Sequence, residues 1–126
     1  MGLSLRSTAA LTVWLIGAIA RAQEGFPLDG TWRGEWGAAE KRQVVIVMKW
    51  DGKNINGTIN PGPRSVPFTT ASLQPSDWTV HIEAQSREGA PIVIDAKLAD
   101  IGSYNRTLTG TWNEAGVGHD FKIARE

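Results

Sequence analysis

From residue 29 to residue 125 the chain is a succession of short segments in which apolar and polar residues alternate, each stopped by Gly, Pro, Asn or Asp. A period of two sends successive side chains to opposite faces of a strand, whereas a helix buries one face only with a repeat near 3.6. Eight strands are predicted on this basis: Asp29 to Gly37, Arg42 to Trp50, Lys53 to Asn60, Ser65 to Leu73, Asp77 to Gln85, Pro91 to Ala99, Asn105 to Trp112 and Val117 to Arg125. The fifth is the most regular, with Trp78, Val80, Ile82 and Ala84 facing in and Thr79, His81 and Glu83 facing out. The second is almost continuously apolar from Val44 to Met48, as for a strand covered on both faces. Asp51-Gly52 after it reads as a two-residue hairpin turn. Pro67, which has no N–H for a ladder, marks the fourth strand as an edge or a bulged strand.

Sequential strands with short connections point to an all-β fold, a single antiparallel eight-stranded up-and-down barrel, because closure removes both exposed edges. The alternative with the same strand count is a two-sheet β-sandwich. A barrel of eight strands has room for packed side chains or for one small ligand.

Residues 1–22 read as a secretory signal peptide and residues 23–126 as the barrel domain. Arg6 precedes an uncharged run, Ala9 to Ala20, which is too short to span a bilayer, and Ala20-Arg21-Ala22 offers small side chains for cleavage after Ala22. The expected location is periplasmic or secreted, with a chain beginning at Gln23 and no membrane association after cleavage. The absence of Cys means that the exported domain relies on its core alone. Losing Arg6 and Arg21 leaves 11 Lys and Arg against 13 Asp and Glu, a formal charge of −2, which gives no support to a phosphate-tracking nucleic-acid surface.

Gly30-Thr31-Trp32 at the start of the first strand, Gly57-Thr58, Trp78-Thr79-Val80, Trp112 and Val117-Gly118-His119-Asp120 resemble segments of the calycin group, the lipocalins and avidins. The resemblance covers residues 23–126 and implies a calycin-type barrel, and Asp120 matches the carboxylate that holds a biotin ureido group in avidins. Around it the match departs. Gly34 and Ala38 stand where avidins use an amide and a hydroxyl, Ile59 and Pro61 where they use Tyr and Ser, and Ile82 where they use a stacking Trp, so a biotin site is not implied. Trp50-Asp51-Gly52-Lys53, Gly57-Thr58-Ile59-Asn60-Pro61-Gly62 and Gly118-His119-Asp120-Phe121-Lys122 are more specifically similar to an uncharacterised family of small exported bacterial β-barrel domains. That resemblance implies a fold and an export route without an activity.

Chemistry is sparse. With no Cys and with His81 and His119 alone, no metal motif or cofactor motif is present. Glu35, Glu83 and Asp95 fall on outward faces beside Arg33, His81 and Lys97, as solvated ion pairs do, and not across a cleft as glycosidase carboxylates must. Neither a Gly-x-Ser-x-Gly elbow nor a phosphate-binding Gly-rich loop occurs. Trp32, Trp78 and Trp112 read as core, and Trp36 and Trp50, each at a strand end, as rim residues. His119 shares a face with Phe121 and Ile123 and is expected to point inward near the mouth, with Asp120 outward unless a bulge at Gly118 re-aims them.

The sequence therefore predicts a non-enzymatic small-ligand-binding barrel whose mouth gathers Trp36, Trp50, His119 and Asp120, for an apolar or amphipathic molecule or a sugar. The rival is an interaction or accessory module with a filled barrel, which docks a protein partner at the edge near Pro63 and Pro67. A weak hydrolase comes third.

Overall fold

The computed structural model describes residues 26–126, so the signal segment read at residues 1–22 lies outside the described residues. A 3-10 turn, Phe26–Leu28, leads into eight strands: β1 (Gly30–Trp36), β2 (Arg42–Trp50), β3 (Ile55–Ile59), β4 (Val66–Gln74), β5 (Thr79–Gln85), β6 (Pro91–Ala99), β7 (Thr107–Glu114) and β8 (Val117–Arg125). Each pairs antiparallel with the next, and β8 pairs back onto β1 from Trp32↔Arg125 to Trp36↔Phe121, which closes the barrel. The sandwich alternative is thereby excluded. β2, β6 and β8 have the bounds that alternation predicts.

Alternation fills the inside. Trp32 and Trp36 on β1, Val44, Ile46 and Met48 on β2, Val80, Ile82 and Ala84 on β5, and Phe121 and Ile123 on β8 all belong to one buried apolar cluster. No polar or charged side chain is buried among the described residues. Trp32, Ile46, Ile82, Ile94 and Leu108 expose no surface at all, which leaves no water-sized space beside them. Outward positions carry Arg33, Glu35, Lys49, Glu83, Asp95, Lys97 and Lys122, all exposed. This polarity is the inverse of a membrane-spanning barrel, whose apolar band faces out.

One end is plugged. Leu28, the last residue of the 3-10 turn, is fully buried, and the Trp32 indole N–H donates to its carbonyl oxygen at 2.8 Å. Arg106 donates to the carbonyls of Pro27 and Ile101, both at 2.9 Å, and Arg125 donates to those of Tyr104 at 3.0 Å and Asp29 at 3.3 Å. Backbone oxygens of the 3-10 turn, of Asp29 and of the β6–β7 connection are thus satisfied by two guanidinium groups.

Several sequence expectations need correction. The β2–β3 connection is a four-residue loop, since Trp50 pairs with Ile55. In it the Asp51 carboxylate accepts the N–H groups of Lys53 and Asn54, which holds its pKa below the ordinary carboxylate value, while Gly52 supplies the positive φ of 97°. Trp78 is outside β5: it sits in the preceding turn at φ 59°, half-buried against the core. β4 is bulged between Phe68 and Thr70, as Pro67 suggested, but it is not an edge. Pro67 pairs with Thr58, and the β3–β4 seam is two residue pairs long. Phe68 lies across Gly57 there, where an added Cβ would come within 2.3 Å of the ring. The outer Val45 and Val47 of β2 are half-buried among cross-strand neighbours, with no second layer over them among the described residues.

On the outer face the expected Arg33–Glu35 and Asp95–Lys97 pairs are replaced by others. Arg33 pairs with Glu126, and His81 lies between Asp95 (Nδ1 to Oδ1, 2.6 Å) and Glu83 (Nε2 to Oε2, 3.1 Å). Both carboxylates favour the imidazolium, Asp95 the more, and raise the His81 pKa above 6.5. A raised histidine stabilises the fold fully below its unfolded pKa and loses that contribution as pH rises through the folded value. The urea midpoint of the wild type should therefore fall as pH increases from about 6.5, and His81→Gln should flatten this dependence. A wild-type midpoint that rises over the same range, or an unchanged slope in the variant, would contradict the pairing.

Candidate functional site at the barrel mouth

The end opposite the plug is open. It is formed by the end of β1, the start of β2, the end of β7 and the start of β8, which meet because β1 pairs with both β2 and β8 and β7 pairs with β8. Trp36 stands opposite Arg42 on one side and Phe121 on the other, and Trp112 stands opposite His119. All these positions share the inward parity of their strands.

Trp36 floors the mouth, and Trp112 backs it from within the barrel. Trp36 and Trp112 stack with ring centroids 4.6 Å apart and planes 6° from parallel. His119 meets Trp36 edge-on at 5.2 Å, and Phe121 supports Trp112 from below at 5.9 Å. The Trp112 indole N–H donates to Glu114 Oε1 at 3.2 Å. The Arg42 guanidinium carbon lies 5.3 Å from the Trp36 ring centroid, a cation–π contact. Above this floor is a recess of about 350 Å³, lined chiefly by Trp36, Ala38, Arg42, Glu114, Val117 and His119. Its rim loop is braced by Gly37, whose N–H donates to the Asp120 carbonyl at 2.9 Å and whose own carbonyl accepts Lys41 Nζ at 3.1 Å.

Of the four residues that the sequence placed at the mouth, the structure brings Trp36 and His119 together. Asp120 adjoins them, but its side chain is exposed on the outer face, and it serves the rim through its backbone. Trp50 lies at the other end of the barrel, where its backbone N–H donates to the Asp29 carboxylate and its side chain borders a groove of about 160 Å³ with Ile55 and Leu73. Arg42, Glu114 and Trp112 were missed as site residues. A signal for the first two was present: each is an ionisable residue at the inward parity of a strand end, Arg42 in line with Val44 and Ile46, Glu114 in line with Leu108 and Trp112.

The outer face holds a Ser72, His81, Asp95 row in register across β4, β5 and β6. Both His81 ring nitrogens are taken by carboxylates, so neither serves Ser72 as a base. Among the described residues no group of three or more His, Asp or Glu side chains is placed to hold a metal ion. Comparison with protein-family models, with curated proteins and with solved structures finds no match to this chain. The class defined by fold and geometry is an eight-stranded antiparallel up-and-down barrel with a filled interior, one plugged end and an aromatic-floored mouth.

Proposed function

We propose that this protein is an exported, non-enzymatic barrel that binds a small molecule in its mouth, with Trp36, Arg42, Glu114 and His119 as the contacts. One observation carries the reading: the interior is apolar throughout, yet at the mouth Arg42, Glu114 and His119 face inward around a recess over a Trp stack. An apolar floor with a few convergent polar groups is the usual make-up of a ligand site. Because the interior is filled, the ligand sits on Trp36, which Trp112 backs, and not within the barrel. Export is supported by the charged start, apolar run and small-x-small triplet of residues 1–22, and with it a periplasmic or extracellular location.

The test is a fluorescence screen of fatty acids, aromatic metabolites and oligosaccharides. A mouth ligand should change Trp emission, and Trp36→Phe and His119→Ala should each weaken its binding. No hit, or hits indifferent to both substitutions, would sink the mouth as a site.

A second reading, an interaction module with a filled barrel, is favoured by the sealed interior and by the short β3–β4 seam beside Pro63 and Pro67. It needs a different docking surface from the sheet edge first expected, because the barrel is closed. Pro63 is moreover already engaged, its carbonyl accepting Arg87 at 2.8 Å.

A further inference from the structure

Two strand arginines sit at inward parity, one at each end of the barrel, and their surroundings differ. At the plugged end Arg125 stands opposite Trp32, donates to two backbone carbonyls and lies 4.8 Å from the Tyr104 ring centroid. Its donors are used in building the plug. At the mouth Arg42 stands opposite Trp36 and, among the described residues, its side chain makes no hydrogen bond and no ion pair. A guanidinium resting on an aromatic face keeps its N–H donors in its own plane, so the fork stays free for a planar anion. The aromatic contact holds Arg42 in place while its hydrogen-bonding edge remains unspent.

We infer that the mouth takes a small monocarboxylate with a flat or apolar body, its carboxylate forked on Arg42 and its body against Ala38 and Val117 above the Trp36–Trp112 stack. The inference rests on the mouth being the ligand site and adds the ligand's chemical class. Apolar contact is available because Val117 is 56% exposed at the rim and Ala38 is exposed beside it. The charge of the lining sets the limit to one negative charge. Glu40 and Glu114 border the same recess and repel every negative charge a ligand brings, so a dianion such as a phosphate monoester is opposed about twice as strongly as a monocarboxylate, while the Arg42 fork seats one planar carboxylate. Glu114 is also held by the Trp112 indole N–H, which keeps its carboxylate at the wall.

The experiment is an NMR titration of the whole described barrel with three probes of one shape: phenylacetate, its neutral amide phenylacetamide, and phenyl phosphate. Phenylacetate should bind most tightly and shift the indole N–H signals of Trp36 and Trp112. Arg42→Gln should weaken it roughly tenfold or more, the loss of a charge-assisted pair, and leave phenylacetamide unchanged. Arg42→Lys, which keeps the charge and loses the fork, should fall between. Arg42 is exposed at a strand end, so both variants should retain the fold, which their amide spectra report directly.

Equal binding of acid and amide at the mouth, indifferent to Arg42→Gln, would overturn the carboxylate class and leave the mouth reading standing. Phenyl phosphate binding more tightly than phenylacetate would overturn the single-charge limit and with it the inference. Failure of all three probes to shift the mouth would overturn the inference outright, and the mouth reading would then survive only through a different ligand from the wider screen.

Discussion

Trp32→Ala should cost about 3 to 5 kcal/mol of unfolding free energy, the usual loss for truncating a buried Trp. The indole exposes no surface, stands opposite Ile46 on β2 and Arg125 on β8, and donates its N–H to Leu28, itself fully buried. Removing it leaves a void that the plug cannot collapse into and strands the Leu28 carbonyl without its donor. A small domain holds only some 5 to 15 kcal/mol in all, so the variant should unfold at a much lower urea concentration. Trp36→Ala should cost less, because the space it vacates opens to solvent at the mouth. Equal urea midpoints for the two variants would contradict the assignment of plugged and open ends.

The second large effect is expected at Gly110 and Gly34. A Cβ on Gly110 would stand 2.0 Å from the Asp95 carbonyl oxygen and 2.6 Å from the Ala96 Cα. On Gly34 it would stand 2.0 Å from the Lys122 carbonyl oxygen and 2.6 Å from the Ile123 Cα. Both glycines face inward on strands that approach their paired neighbour closely, the corners a small barrel needs in order to close. The obstructing atoms are backbone of the adjacent strand, so relief requires the seam itself to open. Gly110→Ala and Gly34→Ala should each cost at least the upper part of the range of about 1 to 3 kcal/mol for overpacking. Gly102→Ala is the control, since nothing lies within 4 Å of its Cβ position. Thermal unfolding in which all three alanine variants match the wild type would remove the corner argument.

The barrel was legible because apolar residues recur at every second position through the body of the strands, Val44, Ile46 and Met48 on β2, Ile92, Ile94, Ala96 and Leu98 on β6, and Phe121 and Ile123 on β8. Trp78 misled because it is apolar at the right period, yet its φ of 59° places it in a turn that hydrophobicity alone does not reveal. Pro67 was read as marking an edge or a bulged strand because the missing N–H was weighed against a full ladder, and the bulge is the alternative that holds. In the structure pairing between β3 and β4 spans two residue pairs, and the bulge follows it.

The site was half legible for a geometric reason. Trp36 and Trp50 each end a strand, but β1 and β2 are antiparallel, so the ends of consecutive strands lie at opposite ends of the barrel. Strand direction, and not nearness to a strand end, decides which residues share a rim. By the same rule His119, early on β8, meets Trp36, late on β1. Arg42 and Glu114 went unnoticed because charged residues at strand ends are ordinarily solvated, and parity alone marks them as facing the mouth.

The central claim, that a small ligand sits on the Trp36 floor at the open end, is tested most directly by mapping amide chemical shifts of the assigned barrel at saturation with any ligand the screen yields. The predicted result is a set of shifts confined to residues 36–42 and 112–119, with the plugged end unmoved. Shifts centred instead on Phe26, Tyr104 and Arg125 at the plugged end, or on the His81 face, would contradict it.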